Sequence, residues 1–96
     1  MPTVMKQFVV KVDVGKVFAT RGALESVHED DIFDSFVRHI SGDWGDVPEE
    51  DRKANDEAIE FGSRILSSYT DRHGVKFWII TEADRSATTI LLPLEY

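Results

Sequence analysis

Apolar residues recur at every second position in the N-terminal stretch "KQFVVKVDVGKVFAT". Phe8, Val10, Val12 and Val14 fall on one face, with Gln7, Lys11 and Asp13 opposite. Period two predicts a half-buried strand. Gly15 interrupts it, and Val17 and Ala19 continue it after a bulge or turn. The period then changes. Thr20 stands where a helix cap would, ahead of "RGALESVH" with Leu24 and Val27 three apart. Gly22 weakens that short helix. "DDIFDSFVRHISG" is the clearest helix: Ile32, Phe33, Phe36, Val37 and Ile40 make one apolar stripe. Asp30 or Asp31 is its expected cap, and Gly42 its left-handed stop. A second long helix opens at Pro48, a favoured first helical residue, with Glu49 and Glu50 in the first turn. Ala54, Ala58 and Phe61 give it a narrow apolar stripe, and Gly62 ends it.

The last third returns to period two. "SRILSSY" sets Ile65, Ser67 and Tyr69 against Leu66 and Ser68. "TDRHGV" is a turn with Asp71 and Gly74. "VKFWIIT", the hexapeptide "TEADRS" and "ATTILLP" complete an antiparallel meander of three strands. The whole chain, residues 1–96, therefore reads as a single α+β domain. It has an antiparallel sheet of about four strands, the N-terminal strand plus the three-stranded meander. Two to three helices pack on one face. "FWII" and "TILLP" place apolar residues on both faces, so the other face is partly exposed or used in an interface.

Charge changes the picture of the surface. The net charge is −7, and residues 25–60 hold thirteen acids against three bases, a net −10. The remainder is +3. The second long helix carries most of the acidic face. Phosphates would be repelled by it, which disfavours direct nucleic-acid binding, and a basic protein surface would be attracted. The chain has no cysteine, which excludes disulfides, thiolate metal sites and cysteine nucleophiles and fits the cytoplasm. No apolar run is long enough to span a membrane, and Lys6, Lys11 and Asp13 break up any signal-peptide core.

Candidate chemistry is sparse. Asp43, Asp46 and Glu50 or Asp51 in "SGDWGDVPEED" supply oxygen ligands, but not at the spacing of a calcium loop, and the plainer reading is a turn and a helix start. His28, His39 and His73 show no metal spacing and read as surface or cap residues. Ser86 follows "ADR" rather than sitting in a glycine-flanked elbow. The six glycines form neither a phosphate loop nor a dinucleotide fingerprint. Lys76 precedes Glu82 by six residues, the wrong order and spacing for a nuclease. No catalytic residue, cofactor or metal is expected. Trp44, a large apolar group between two Gly-Asp pairs, is either a core plug or an exposed partner anchor. With Glu49, Glu50, Asp56, Glu57 and Glu60 it forms the partner-binding candidates. In "TEADRS", Glu82, Asp84 and Arg85 are either a small polar recognition site or a hairpin loop held by Asx-type hydrogen bonds.

Four blocks, "GKVFATRGALE", "HISGDWGDVPEEDRKANDEAI", "GSRILSSY" and "FWIITEADRSATTILLPLEY", together resemble a family of small stand-alone bacterial proteins. Its members are labelled plasmid-related or uncharacterised, and some type I restriction endonuclease subunit M. The resemblance spans about residues 14–96 and implies a mobile-element or accessory setting. It brings no catalytic residue or cofactor with it. A methyltransferase needs a doubly wound sheet with a Gly-rich loop, which this chain has neither the length nor the glycine spacing to form. The expectation is thus a non-enzymatic accessory protein that binds a basic partner through its acidic helical face, one form being a DNA mimic that inhibits a host DNA-handling system. A first alternative is a small hydrolase with Asp43, Asp46, Glu82, Asp84 and Arg85 in a cleft between loop 42–46 and turn 81–86. A second is a homodimeric structural or regulatory protein using the exposed face of the meander.

Overall fold

A computed structural model of the chain describes residues 9–96. Strand β1 (Lys16–Ala19) leads into helices α1 (Arg21–Ser26), α2 (Glu29–Ile40) and α3 (Glu49–Phe61). Strands β2 (Ile65–Thr70), β3 (Lys76–Thr81) and β4 (Ala87–Leu91) follow, and a 3-10 turn, Pro93–Glu95, ends the chain. The sheet order is β1-β4-β3-β2. The meander is antiparallel as expected, with Tyr69 opposite Phe77 and Ile79 opposite Ile90. β1 departs from expectation: it pairs parallel to β4, Phe18 beside Thr89, so the sheet is mixed. The helical crossover through α1–α3 and the meander returns the chain to β1's side in the same direction, which only a parallel pair allows.

Among the described residues, the expected strand before Gly15 does not form. Phe8 and Gln7 lie outside the described residues. Over residues 9–15 the chain runs without a strand partner; Val10 is exposed, Val12 is buried, and the Lys11 and Val12 amides donate to the Ile40 carbonyl at the end of α2. A helix end with free carbonyls thus captures the segment that period two assigned to the sheet. Gly15 is what lets β1 start where it does. It has φ +60, and a Cβ there would overlap the Ser86 carbonyl, which accepts from the Lys16 amide.

All three helices lie on one face of the sheet. That face carries Ile65, Ser67 and Tyr69 of β2, Phe77, Ile79 and Thr81 of β3, and Thr88 and Ile90 of β4. Ala23 of α1 and Val27, which follows the helix as its C-cap, pack on Tyr69, Phe77, Ile79 and Ile90, with Ile32 and Phe36 of α2 alongside. Val12, Trp44 and Ala58 of α3 pack on Ile65 as a second cluster. On the opposite face the Tyr96 ring stands 5.8 Å from that of Trp78, with the Arg64 guanidinium over it.

Helix ends follow the expected residues with small shifts. Thr20 caps α1 by accepting from the Ala23 amide, and Gly62 ends α3 with φ +76. Pro48 sits one position earlier than expected, as the cap of α3. The α2 cap is His28, whose Nδ1 accepts from the Asp30 amide; Asp30 and Asp31 fall in the first turn. The stripes are looser than periodicity implied. Phe33 is 66% exposed, Phe61 75%, and Ala54 is also exposed, whereas the polar Ser35, His39 and Asn55 are buried.

Candidate functional site

The outer edge of β2 is closed by two devices built from polar residues. Loop 43–46 lies against it: the Ser68 amide donates to the Trp44 carbonyl at 3.0 Å, and the Asp46 amide to the Ser68 carbonyl at 2.7 Å. Gly45, at φ +72, makes the approach, since a Cβ would overlap the Ser68 carbonyl. One turn further on, Asn55 of α3 brackets Leu66 like a neighbouring strand. Its Nδ2 donates to the Leu66 carbonyl at 2.8 Å, and its Oδ1 accepts from the Leu66 amide at 3.3 Å.

These contacts settle Trp44. It is only 3% exposed, with its Nε1 donating to Asp56 Oδ1 at 2.8 Å, so the exposed-anchor reading is corrected: Trp44 is a core plug. A ring flanked by two Gly-Asp pairs is free to turn inward because the glycines bend the backbone around it. Asp56 consequently has a structural partner. Glu49 also has one, Arg52, one turn along α3. Glu50, Glu57 and Glu60 are exposed, and no ion pair reaches them among the described residues. With 100° between successive residues, these three carboxylates share the half of α3 opposite the buried Asn55 and Ala58.

"TEADRS" is the β3–β4 hairpin loop. The Glu82 amide donates to the Ala87 carbonyl, the Arg85 amide to the Glu82 carbonyl, and the Ser86 amide to Asp84 Oδ1 in an Asx-type turn; the Ser86 hydroxyl first and its amide second hold the Asp84 carboxyl below the usual range. Arg85 adopts φ +62 and turns its guanidinium back under α3. It donates to the carbonyls of Ala58 and Ser63 at 2.7 Å, and to those of Glu82 and Ala83. Glu82 and Asp84 remain exposed at the tip. Among the described residues no hydrogen bond or ion pair joins the two parts of the supposed hydrolase cleft. Asp43 pairs with Arg38 at 2.8 Å, which lowers its carboxyl pKa, and loop 43–46 meets β2 at Ser68. The hairpin loop leaves the sheet at Thr81, opposite Ile65, three residues along β2 and one strand further in.

The residue that periodicity missed is His39. It is not at the surface but fully buried, at the centre of a polar chain linking α2 to the sheet. Its Nδ1 lies 2.6 Å from Ser67 Oγ and its Nε2 2.8 Å from Thr81 Oγ1. Thr81 Oγ1 lies 2.7 Å from Thr88 Oγ1, which donates to the Val14 carbonyl at 2.9 Å. Proton counting orients the chain. Val14 takes the Thr88 proton, so Thr81 donates to Thr88 and must accept from Nε2–H. Burial favours the neutral ring, so Nδ1 is bare and accepts from Ser67, which makes His39 the Nε2–H tautomer. Burial, with the positive charge of Arg85, lowers its pKa to about 4. Ser67 and His39 have the atoms of a nucleophile–base pair, but both are sealed under α2, so the chain is structural. Serine and threonine at alternate positions of β2, β3 and β4 were its only signal in the sequence.

No family model, curated protein or solved structure matches the chain. Among the described residues, no helix is long and apolar enough to cross a membrane, and no group of three acidic, histidine or cysteine side chains is placed to hold a metal ion.

Proposed function

We propose that this is a non-enzymatic accessory protein of the bacterial cytoplasm that binds a basic protein surface through the outward half of α3. The observation that carries the reading is the group Glu50, Glu57 and Glu60: exposed, on one side of a rigid helix, and without cationic partners among the described residues. Unneutralised carboxylates on a fixed scaffold raise the local potential and steer a cationic partner into register. The neighbouring acids contribute less, because Glu49 and Asp56 already serve Arg52 and Trp44. A setting in a plasmid or other mobile element, with a DNA-handling protein as the partner, accords with the family resemblance. Mimicry of DNA charge is the specific form that this pairing would take.

The test is charge reversal at the three unpaired positions. Glu50→Lys, Glu57→Lys and Glu60→Lys together leave every hydrogen bond described above intact, and the variant should keep the wild-type circular dichroism spectrum. It should lose capture of the partner that the wild-type chain retains from host lysate at low salt. Capture that survives unchanged removes the acidic face as the binding surface. If the partner binds nucleic acid, duplex DNA should displace this protein from it; failure of displacement would leave the protein-binding reading standing and remove the mimicry.

A further inference from the structure

The two edges of the sheet are treated differently. The edge at β2 is closed by loop 43–46 and Asn55. The edge at β1 is open: among the described residues no strand, loop or side chain pairs with it. The Lys16 amide donates to Ser86 and the Thr20 amide to Ile90, so the even-numbered residues of β1 face β4. The amides and carbonyls of Val17 and Ala19 therefore point outward. Val17 and Phe18 are 48% and 53% exposed, with Phe18 on the face away from the helices, in the row of Thr89, Ile80 and Leu66. An edge with free ladder groups and exposed apolar side chains is a template for another strand.

We infer that β1 pairs with β1 of a second copy, antiparallel across a two-fold axis at Phe18, to form one continuous eight-stranded sheet. The register is self-complementary. With Phe18 opposite Phe18 of the second copy, Val17 falls opposite Ala19 and Ala19 opposite Val17. These are the residues whose outward groups exchange paired hydrogen bonds, while Phe18 takes the closer non-hydrogen-bonded position. Its ring meets its mate there, extending the apolar row of the uncovered face through the axis. Lys16 falls opposite Thr20, so no like charges are juxtaposed. This interface is independent of α3: it uses the opposite edge of the sheet.

Three variants test it by sedimentation velocity and oxidation. Wild-type protein should run at twice its 10.9 kDa chain mass. Val17→Pro removes an amide proton that points away from β4, a site where an edge strand tolerates proline. Phe18→Lys sets two ammonium groups across the axis. Both should keep the wild-type circular dichroism spectrum and run as monomers. Because the chain has no cysteine, Phe18→Cys introduces a single thiol. Its mate across the axis has a Cα roughly 4.5 Å away, within the roughly 4.4–6.8 Å a disulfide spans. It should oxidise to a covalent dimer much faster than Asp84→Cys at the exposed hairpin tip. A wild-type monomer at the highest soluble concentration, a dimer that persists in both β1 variants, or equal cross-linking of the two cysteines would overturn the inference.

Discussion

His39 shows how one buried titratable group sets a pH dependence. Its folded pKa of about 4 lies below the ordinary value of 6.5, so the unfolded chain binds the proton more tightly. The stabilisation from the neutral ring is complete above pH 6.5. It is lost as pH falls from 6.5 toward 4, by about 3 kcal/mol in all. Protonation would also force Nδ1 to donate to Ser67, reversing one link of a chain in which every proton is already placed. Urea unfolding followed between pH 7 and 4 should show this slope in the wild type and a flatter profile in His39→Gln. Asp31 adds a separate, lower window. Its bonds from Arg72 hold its pKa at about 2, below 3.8, so its contribution persists above pH 3.8 and fades as pH falls through 2. Equal pH slopes in wild type and His39→Gln would contradict the buried-imidazole account.

At the scale of elements, the β3–β4 hairpin is tied to the end of α3 by Arg85 rather than by apolar contact. Arg85→Ala strips the Ala58 and Ser63 carbonyls of a charged donor and should cost about 2 kcal/mol. It should lower the urea midpoint with an unchanged denaturant slope. Arg85→Gly loses the same bonds but relaxes the left-handed backbone, so it should cost less than Arg85→Ala; the reverse order would show that φ +62 is not strained. The meander, the helices and the caps at Thr20 and Gly62 were legible because period and turn chemistry are local, whereas the α2 cap fell to His28 rather than Asp30 or Asp31. Thr20, Gly62 and the alternation of Ile65, Ser67 and Tyr69 act within a few residues of themselves. What was not legible is non-local. Val12 leaves the sheet for the end of α2, β1 runs parallel to β4, and His39 reads as polar surface until Ser67, Thr81 and Thr88 surround it. Trp44 stood open between core and surface because the partner that decides, Asp56, lies twelve residues on. Within the hexapeptide, Asp84 and Ser86 form the local turn the sequence implied, whereas the reach of Arg85 to α3 depends on the assembled fold.

Across the whole molecule, charge is separated by position. The acids of residues 25–60 are mostly on α2 and α3, while the ends of the chain are mildly basic. On α2, Asp30 and Asp31 are partly neutralised by Arg72; on α3 the outward carboxylates Glu50, Glu57 and Glu60 are not. The outward half of α3 is thus an acidic surface without ion-pair partners among the described residues, and the β1 edge, unpaired among the described residues, lies on the strand farthest from the closed β2 edge. Salt acts directly on the acidic surface. Exposed charge pairs weaken as the Debye length shortens, from about 10 Å at 0.1 M ionic strength to about 3 Å at 1 M. Capture of the partner by immobilised wild-type protein, measured across that range of salt, should fall steeply, and capture by the Glu50, Glu57 and Glu60 charge-reversed variant should be weak at every point. Retention that is flat with salt and equal for the two proteins would contradict the account.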